Sequence, residues 1–118
     1  MNLVNSSNLL ERARRLIPGQ TQTFSKRASW FPVGACPVYL QSGKGCRVTD
    51  VDGNVYIDYI CGLGAITLGY NYPATNLAIQ EQLEEGIIFS LPHPLEVAVS
   101  DLLHQTIPCA DMIRFLKT

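Results

Sequence analysis

Two short motifs in this 118-residue chain carry residue types that bind ions or nucleotides in other proteins. In the first, Asp50 and Asp52 precede Gly53 and Asn54, a composition that also occurs in calcium-binding loops. An EF-hand loop needs its glycine at the sixth position and a bidentate glutamate at the twelfth. Here the glycine comes too early, and Cys61 stands where the glutamate belongs. The spacing therefore predicts no metal site but a tight turn between two strands, because glycine accepts positive φ.

The second motif places Gly62 and Gly64 after a predicted strand, as in loops that bind dinucleotides. That fingerprint requires a third glycine where this chain has Thr67, and it leads directly into a helix. Together with Gly69, these glycines indicate close packing or a sharp bend of the backbone instead.

Candidate acid–base and nucleophilic residues have no partners at an informative spacing. Ser100 and Asp101 lie beside His104 on one predicted helix, where a catalytic triad does not assemble. We interpret His93 and His104 as surface or helix-cap residues. The two interior lysines lie in predicted loops without signs of burial. From the residues alone, we predict no catalytic residue.

The cysteines form no Cys-x-x-Cys pair and have no histidine at a zinc-binding offset. We expect them to be buried as small apolar groups. They are Cys36, Cys46, Cys61 and Cys109.

Composition indicates a globular, cytoplasmic protein. Hydrophobic residues make up 47% of the chain and charged residues 16%, which excludes a disordered chain. Apolar runs fall short of the roughly 20 residues that span a bilayer, and the N-terminus lacks the pattern of a secretory signal. We expect no membrane association.

The net charge of −1 hides a basic N-terminal part. Up to residue 47 the only acid is Glu11, against seven basic residues: Arg12, Arg14, Arg15, Lys26, Arg27, Lys44 and Arg47. These are not interleaved with an aromatic stacking platform, so we favour a solvated basic face over nucleic-acid binding. An anionic small-molecule substrate is compatible with this charge.

Periodicity predicts an α+β fold for the chain. We expect an amphipathic helix over residues 8–17, capped by Ser6 or Ser7 and stopped by Pro18. A three-stranded antiparallel meander follows, then two helices, then a terminal strand. The strands are predicted over residues 38–41, 47–50, 55–60 and 112–118, and the later helices over residues 73–85 and 95–106.

These elements predict three segments. Residues 1–37 hold the first helix and a long loop, residues 38–72 the meander and glycine loop, and residues 73–118 the two helices and terminal strand. Because the last strand has no predicted partner, the sequence indicates a fragment or dependence on another chain.

The block from Asp50 to Tyr59, with the later run from Gly69 to Pro73, closely resembles the N-terminal segment of class III pyridoxal-phosphate (PLP) aminotransferases. Within that family the chain is most similar to glutamate-1-semialdehyde aminomutase and related aminotransferases. The resemblance implies the small N-terminal lobe and the start of the large domain of a fold type I PLP enzyme. It also implies a homodimer that acts on a small-molecule amino donor and acceptor.

In the family, the turn that binds the cofactor phosphate and the lysine that bonds to the cofactor lie beyond the strand predicted here over residues 112–118. The resemblance thus implies PLP in the complete enzyme, whereas we expect none to bind this chain alone. We also expect the chain alone to be inactive and to contain neither cofactor-binding nor metal-binding residues.

The resemblance implies three substrate-binding positions. A serine and an arginine that meet the substrate carboxylate in the aminomutase align with Thr23 and Lys26, and a tryptophan near the substrate aligns with Leu63. Lysine keeps the charge but loses the planar fork of arginine. These departures favour a relative that acts on another amino donor or acceptor, for example a sugar or a different semialdehyde. The alternatives are that Thr23 and Lys26 are only exposed loop residues, and that the chain is an interaction module for a full-length subunit.

Overall fold

The computed structural model describes residues 1–32 and 34–116. The chain divides into two compact units, Met1–Leu77 and a second that begins at Ala78. In order, the elements are helix α1 (Val4–Leu16), strands β1 (Leu40–Lys44), β2 (Arg47–Asp50) and β3 (Val55–Ile57), and helices α2 (Pro73–Glu85) and α3 (Pro94–Thr106). None of the helices within these described ranges is long and apolar enough to cross a membrane.

The three strands form one antiparallel sheet in the order β1-β2-β3, which confirms the predicted meander. Strand β2 has the predicted bounds, while β1 begins two residues later than expected and runs to Lys44. Strand β3 ends three residues early at Ile57. The reason is local, because the carboxylate of Asp58 accepts the backbone N–H of Ile60 at 2.8 Å and turns the chain.

The predicted start of α1 is wrong. The helix begins at Val4, and neither Ser6 nor Ser7 caps it, because Ser6 lies inside the helix with only 1% of its surface exposed. The residue before the helix, Leu3, offers no side-chain hydrogen bond. The missing cap comes from a distant residue, Asp52, as described below.

The helices of the later part agree with their predictions more closely. Helix α2 has the predicted bounds, and Gly86 follows it with a φ of +103°. Helix α3 begins one residue early, at Pro94, because His93 is its N-cap. The ring Nδ1 of His93 accepts the N–H of Leu95 at 3.2 Å, and Glu96 accepts the N–H of His93 at 3.0 Å. This capping box confirms the interpretation of His93 as a cap.

The predicted terminal strand is wrong for residues 112–116, which pair with no strand in the described part of the chain. A strand needs a neighbour to satisfy its backbone groups, and an apolar pattern alone does not supply one. Residues 117–118 of that prediction lie outside the described residues.

Few apolar side chains are fully buried. Among the described residues they are Leu10 and Ala13 of α1 and Val48 of β2, accompanied by the buried polar residues Ser6 and Asp50. The prediction of buried cysteines is wrong, since Cys36 is half-buried and the other three are exposed. Much of the apolar surface that this sequence carries therefore faces outward.

Candidate functional site

Asp50 is the centre of a buried polar network in the first unit. Its Oδ1 accepts the backbone N–H groups of Asp52 and Asn54 at 2.9 and 2.8 Å. Its Oδ2 accepts the side-chain amide of Asn54 at 2.7 Å and the hydroxyl of Tyr56 at 2.9 Å. In the motif that resembles a calcium loop, both oxygens of the Asp50 carboxylate are thus occupied by hydrogen-bond donors of the protein itself.

The network shifts the pKa values of both acidic partners. Burial alone raises the pKa of Asp50, but the hydrogen bonds from Asn54, Tyr56 and Asp52 outweigh it and hold this pKa below its ordinary value of 3.8. Burial, followed by the hydrogen bond to Asp50, raises the pKa of Tyr56 to about 12. The pair is therefore an ionised carboxylate with a neutral phenol at neutral pH.

Asp52 connects this turn to α1. Its two carboxylate oxygens accept the backbone N–H groups of Asn5 and Ser6 at 2.7 and 2.9 Å. The side-chain amide of Asn54 donates to the carbonyl oxygen of Asn2 at 2.7 Å. The first turn of α1 is thereby fixed to the β2–β3 turn, and the negative charge lies at the positive end of the helix dipole.

A second carboxylate–phenol pair lies at the other end of β3. The hydroxyl of Tyr70 donates to Oδ2 of Asp58 at 2.7 Å. This hydrogen bond, with burial as the second cause, raises the pKa of Tyr70 to about 12, and it lowers the pKa of Asp58 below 3.8. Gly45 and Tyr70 also exchange two backbone hydrogen bonds of 2.8 and 2.9 Å, which holds the β1–β2 turn against the chain before α2.

The segment that follows Asp58 contains a left-handed turn, Cys61–Gly64. All four residues have positive φ, including Cys61 at +52° and Leu63 at +62°. L-residues with side chains adopt this conformation at a cost of about 1–2 kcal/mol each. The turn presents Leu63 with 58% of its surface exposed.

The loop before the sheet is organised by an aromatic cluster. The guanidinium carbon of Arg27 lies 3.9 Å from the ring centroid of Phe24, and the Phe24 and Trp30 rings meet edge to face at 5.9 Å. Between these groups, Lys26 donates its backbone N–H to the carbonyl of Thr23 at 2.9 Å. The side chains of Thr23 and Lys26 are exposed.

The structure thus brings two of the three predicted substrate residues together. Thr23 and Lys26 share one short helical turn, whereas Leu63 lies on the separate left-handed turn. Within residues 1–32 and 34–116, no hydrogen bond connects Leu63 to either of them. The cavity beside the left-handed turn is lined instead by residues such as Asp58, Cys61 and Tyr70.

The residues that PLP needs are not assembled in the described part of the chain. The cofactor requires a lysine for its aldehyde, and both Lys26 and Lys44 are exposed. Its phosphate is held in many enzymes by free N–H groups at a helix N-terminus. Here the start of α1 is occupied by Asp52 and that of α3 by its capping box, and α2 begins with Pro73, which has no N–H to donate. The residues present do not fit PLP by themselves.

Metal binding has no support among the described residues, where no group of three His, Cys, Asp or Glu side chains converges.

Sequence reasoning missed the two carboxylate–phenol pairs and the cap on α1. Strand alternation contains a signal for the Asp50–Tyr56 pair, because Tyr56 pairs with Val48, and Val48 lies on the same face of β2 as Asp50. The cap by Asp52 had no local signal, since 46 residues separate it from Ser6.

The described part of the chain thus contains a helix hydrogen-bonded to the turn of an antiparallel meander, a glycine loop and two further helices. The family model for class III aminotransferases matches residues 31–118, and the chain belongs to that family.

The relatives include enzymes with different activities. The chain is 37% identical over 117 residues to glutamate-1-semialdehyde 2,1-aminomutase 2 of Exiguobacterium sp., covering 99% of this chain and 26% of the relative. It is 35% identical over 119 residues to 3-aminobutyryl-CoA aminotransferase of Cloacimonas acidaminovorans, covering 100% and 28%. A solved structure of a transaminase with PLP bound superposes with a TM-score of 0.77 at 32% identity, covering 89% and 24%. The chain therefore spans about a quarter of the relatives it matches.

Proposed function

We propose that this chain contributes the small N-terminal lobe of a class III PLP-dependent aminotransferase, an enzyme that transfers amino groups between small molecules. The observation that carries the proposal is the family match over residues 31–118. Cofactor chemistry belongs to residues outside those described, so the chain alone is inactive and binds no PLP. The complete enzyme is a homodimer of the cytoplasm.

The role of this lobe is to bind and orient the substrate. The hydroxyl of Thr23 and the ammonium of Lys26 lie one short turn apart, both exposed, and offer a hydrogen-bond donor and a positive charge to a substrate carboxylate. Leu63 offers an apolar contact from a turn whose positive φ values fix its direction. The three segments of the chain, residues 1–37, 38–72 and 73–118, correspond to the substrate loop, the sheet and the start of the large domain.

The substrate is an amino donor or acceptor other than glutamate 1-semialdehyde. Lys26 replaces the arginine that the aminomutase resemblance expects, and Leu63 replaces its tryptophan, so the planar carboxylate contact and the aromatic wall are both absent. Overall identity is compatible with this choice, because an aminotransferase is found among the relatives at nearly the same identity as the aminomutase.

A chimera tests the proposal. The first quarter of the Exiguobacterium aminomutase is replaced by this chain, and the product is assayed for PLP absorbance and for amino transfer from a panel of amino acids. We expect cofactor binding comparable to that of the parent, transfer from at least one donor, and reduced aminomutase turnover. A chimera that binds PLP and isomerises glutamate 1-semialdehyde at the parental rate contradicts the substrate assignment. A folded chimera without transfer from any donor contradicts the function.

A second function, an interaction module that pairs with a full-length aminotransferase subunit, is favoured by the exposed apolar surface. On α2, Leu77, Ile79 and Leu83 are each more than half exposed, and on α3 the same is true of Leu95, Val97 and Leu102. Single-domain proteins rarely leave so many large apolar side chains in water. Size-exclusion chromatography with the chimera's parent separates the two functions, because an interaction module forms a stoichiometric complex with the intact enzyme and a lobe does not.

A further inference from the structure

A cavity in the first unit carries two thiols that no role described above uses. Its volume is about 310 Å³, and its walls include Cys46, Cys61, Asp58 and Tyr70 together with the segment 66–68. Both cysteines are exposed, so reagents in solution reach them.

The backbone of Asp58 contacts both cysteines. Its N–H donates to the carbonyl oxygen of Cys46 at 2.9 Å, which continues the antiparallel pairing of β2 and β3 by one position. Its own carbonyl oxygen lies 4.0 Å from Sγ of Cys61. Cys46, through its backbone carbonyl, and Cys61, through its thiol, thus contact the same residue, and both line the same cavity.

We propose that Cys46 and Cys61 are a dithiol modification site, which closes to a disulfide when it meets a low-molecular-weight disulfide of the glutathione type. A thiolate of the pair attacks one sulfur of oxidised glutathione, which forms a mixed disulfide and releases one glutathione thiolate. The second cysteine then attacks the protein sulfur of that mixed disulfide and releases the other. The protein loses two electrons and two protons, and one oxidised glutathione takes them up and becomes two reduced glutathione molecules.

The bridge ties the β1–β2 turn to the left-handed turn Cys61–Gly64. Because Leu63 lies on that turn, oxidation restrains the backbone at the proposed apolar substrate contact. This consequence for substrate binding rests on the proposed function. The disulfide itself does not, since neither cofactor nor substrate takes part in forming it.

The test compares bridge formation in native buffer and in concentrated urea. The chain is incubated with excess oxidised glutathione, quenched with acid, alkylated and mapped by mass spectrometry. Ten residues separate Cys36 from Cys46, and fifteen separate Cys46 from Cys61. Loop-closure statistics therefore favour the shorter 36–46 bridge by about twofold in an unfolded chain. In native buffer we expect the 46–61 bridge to exceed the 36–46 bridge by at least about tenfold, because the fold raises its effective concentration.

The proposal is overturned if the ratio of the 46–61 bridge to the 36–46 bridge is the same in native buffer and in urea. This holds whether the folded chain keeps the two cysteines apart or the chain is unfolded in native buffer. Separate mixed disulfides on Cys46 and Cys61, without a bridge, overturn it as well. The variant Cys109→Ser is the matched control and is expected to leave the bridge yield unchanged. In Cys61→Ser we expect Cys46 to stop at the mixed disulfide, and a new 36–46 bridge in native buffer contradicts the assignment.

Discussion

Ser6 and Asp52 meet across 46 residues of sequence, where the backbone N–H of Ser6 donates to a carboxylate oxygen of Asp52 at 2.9 Å. The other oxygen of this carboxylate accepts the N–H of Asn5 at 2.7 Å. The N-cap residue of α1, Leu3, has no capping side chain, and a charged side chain on the β2–β3 turn satisfies two of the free donors of the helix. Formation of this helix is thereby coupled to formation of the hairpin.

Removing that carboxylate is expected to destabilise α1. In Asp52→Ala the two N–H groups lose their acceptor, and loss of an N-cap costs about 0.5–2 kcal/mol. We expect lower helical ellipticity and an earlier urea midpoint. The matched control is Asp101→Asn, an exposed acid on α3, which should change neither. Equal effects of both variants contradict the cap.

The relation between Asp52 and α1 shows where sequence reasoning succeeds. The bounds of β2 and α2 follow from local signals, because a glycine turn and a proline at the first helical position act within a few residues. The start of α1 does not, since its cap comes from another part of the chain.

The same distinction between local and long-range interactions explains which parts of the candidate site could be predicted from the sequence. The proximity of Thr23 and Lys26 is a short-range feature. By contrast, the packing of Tyr70 against Gly43 and its bond to Asp58 depend on how the β1–β2 turn meets the glycine loop, which no local pattern encodes. The apolar pattern of residues 112–116 indicates a strand, but no local signal supplies the neighbour that would complete it.

The contact between Gly43 and Tyr70 leaves no room for a side chain. A Cβ added at Gly43 would lie 2.5 Å from Cγ of Tyr70, well inside van der Waals contact. We therefore expect Gly43→Ala to destabilise the first unit by about 1–3 kcal/mol, measured by urea unfolding. In a double-mutant cycle with Tyr70→Ala, the cost of the alanine at position 43 should fall, because the ring atoms that clash are gone and only the Cβ of residue 70, at 2.9 Å, remains in the way. Additive effects of the two changes contradict this packing.

Acid is expected to weaken the two carboxylate networks. The pKa values of Asp50 and Asp58 lie below 3.8 in the folded chain, so their contribution to stability is complete well above pH 3.8 and is lost as pH falls through the lower folded values. We expect the urea midpoint to fall on acidification in this range. Asp58→Asn should flatten that dependence while leaving the part due to Asp50.

Raising the pH is expected to weaken the two networks by ionising the phenols of Tyr56 and Tyr70. The pKa values of Tyr56 and Tyr70 are raised from 10.0 to about 12. Their stabilising contribution is thus complete below pH 10 and is lost as pH rises toward 12. An absorbance titration of phenolate should show a late phase that shrinks in Tyr70→Phe. The control Tyr59→Phe, at a residue 88% exposed, should leave the late phase intact. A titration without any late phase contradicts both pairs.

Lys26 and Lys44 are both exposed and are not expected to hold PLP. Mixing the chain with PLP and reducing with borohydride should leave no stoichiometric pyridoxyl adduct on Lys26 or Lys44, because neither lies in a water-excluding pocket. Peptide mapping by mass spectrometry measures the occupancy. A saturable adduct on one of the two lysines that survives excess free lysine shows that this chain holds a cofactor site of its own.

Lys26 gives the most direct test of how the lobe selects a substrate. Arginine at this position offers two parallel N–H donors to a carboxylate, whereas lysine offers a point charge. In the chimera with the Exiguobacterium aminomutase, Lys26→Arg is therefore expected to lower the KM for glutamate 1-semialdehyde by about tenfold, or about 1.4 kcal/mol, with kcat little changed. Lys44→Arg is the matched control, because Lys44 is also an exposed lysine but lies on β1, outside the loop. An equal response of KM to both changes would mean that general charge, and not the position of Lys26 beside Thr23, sets substrate affinity.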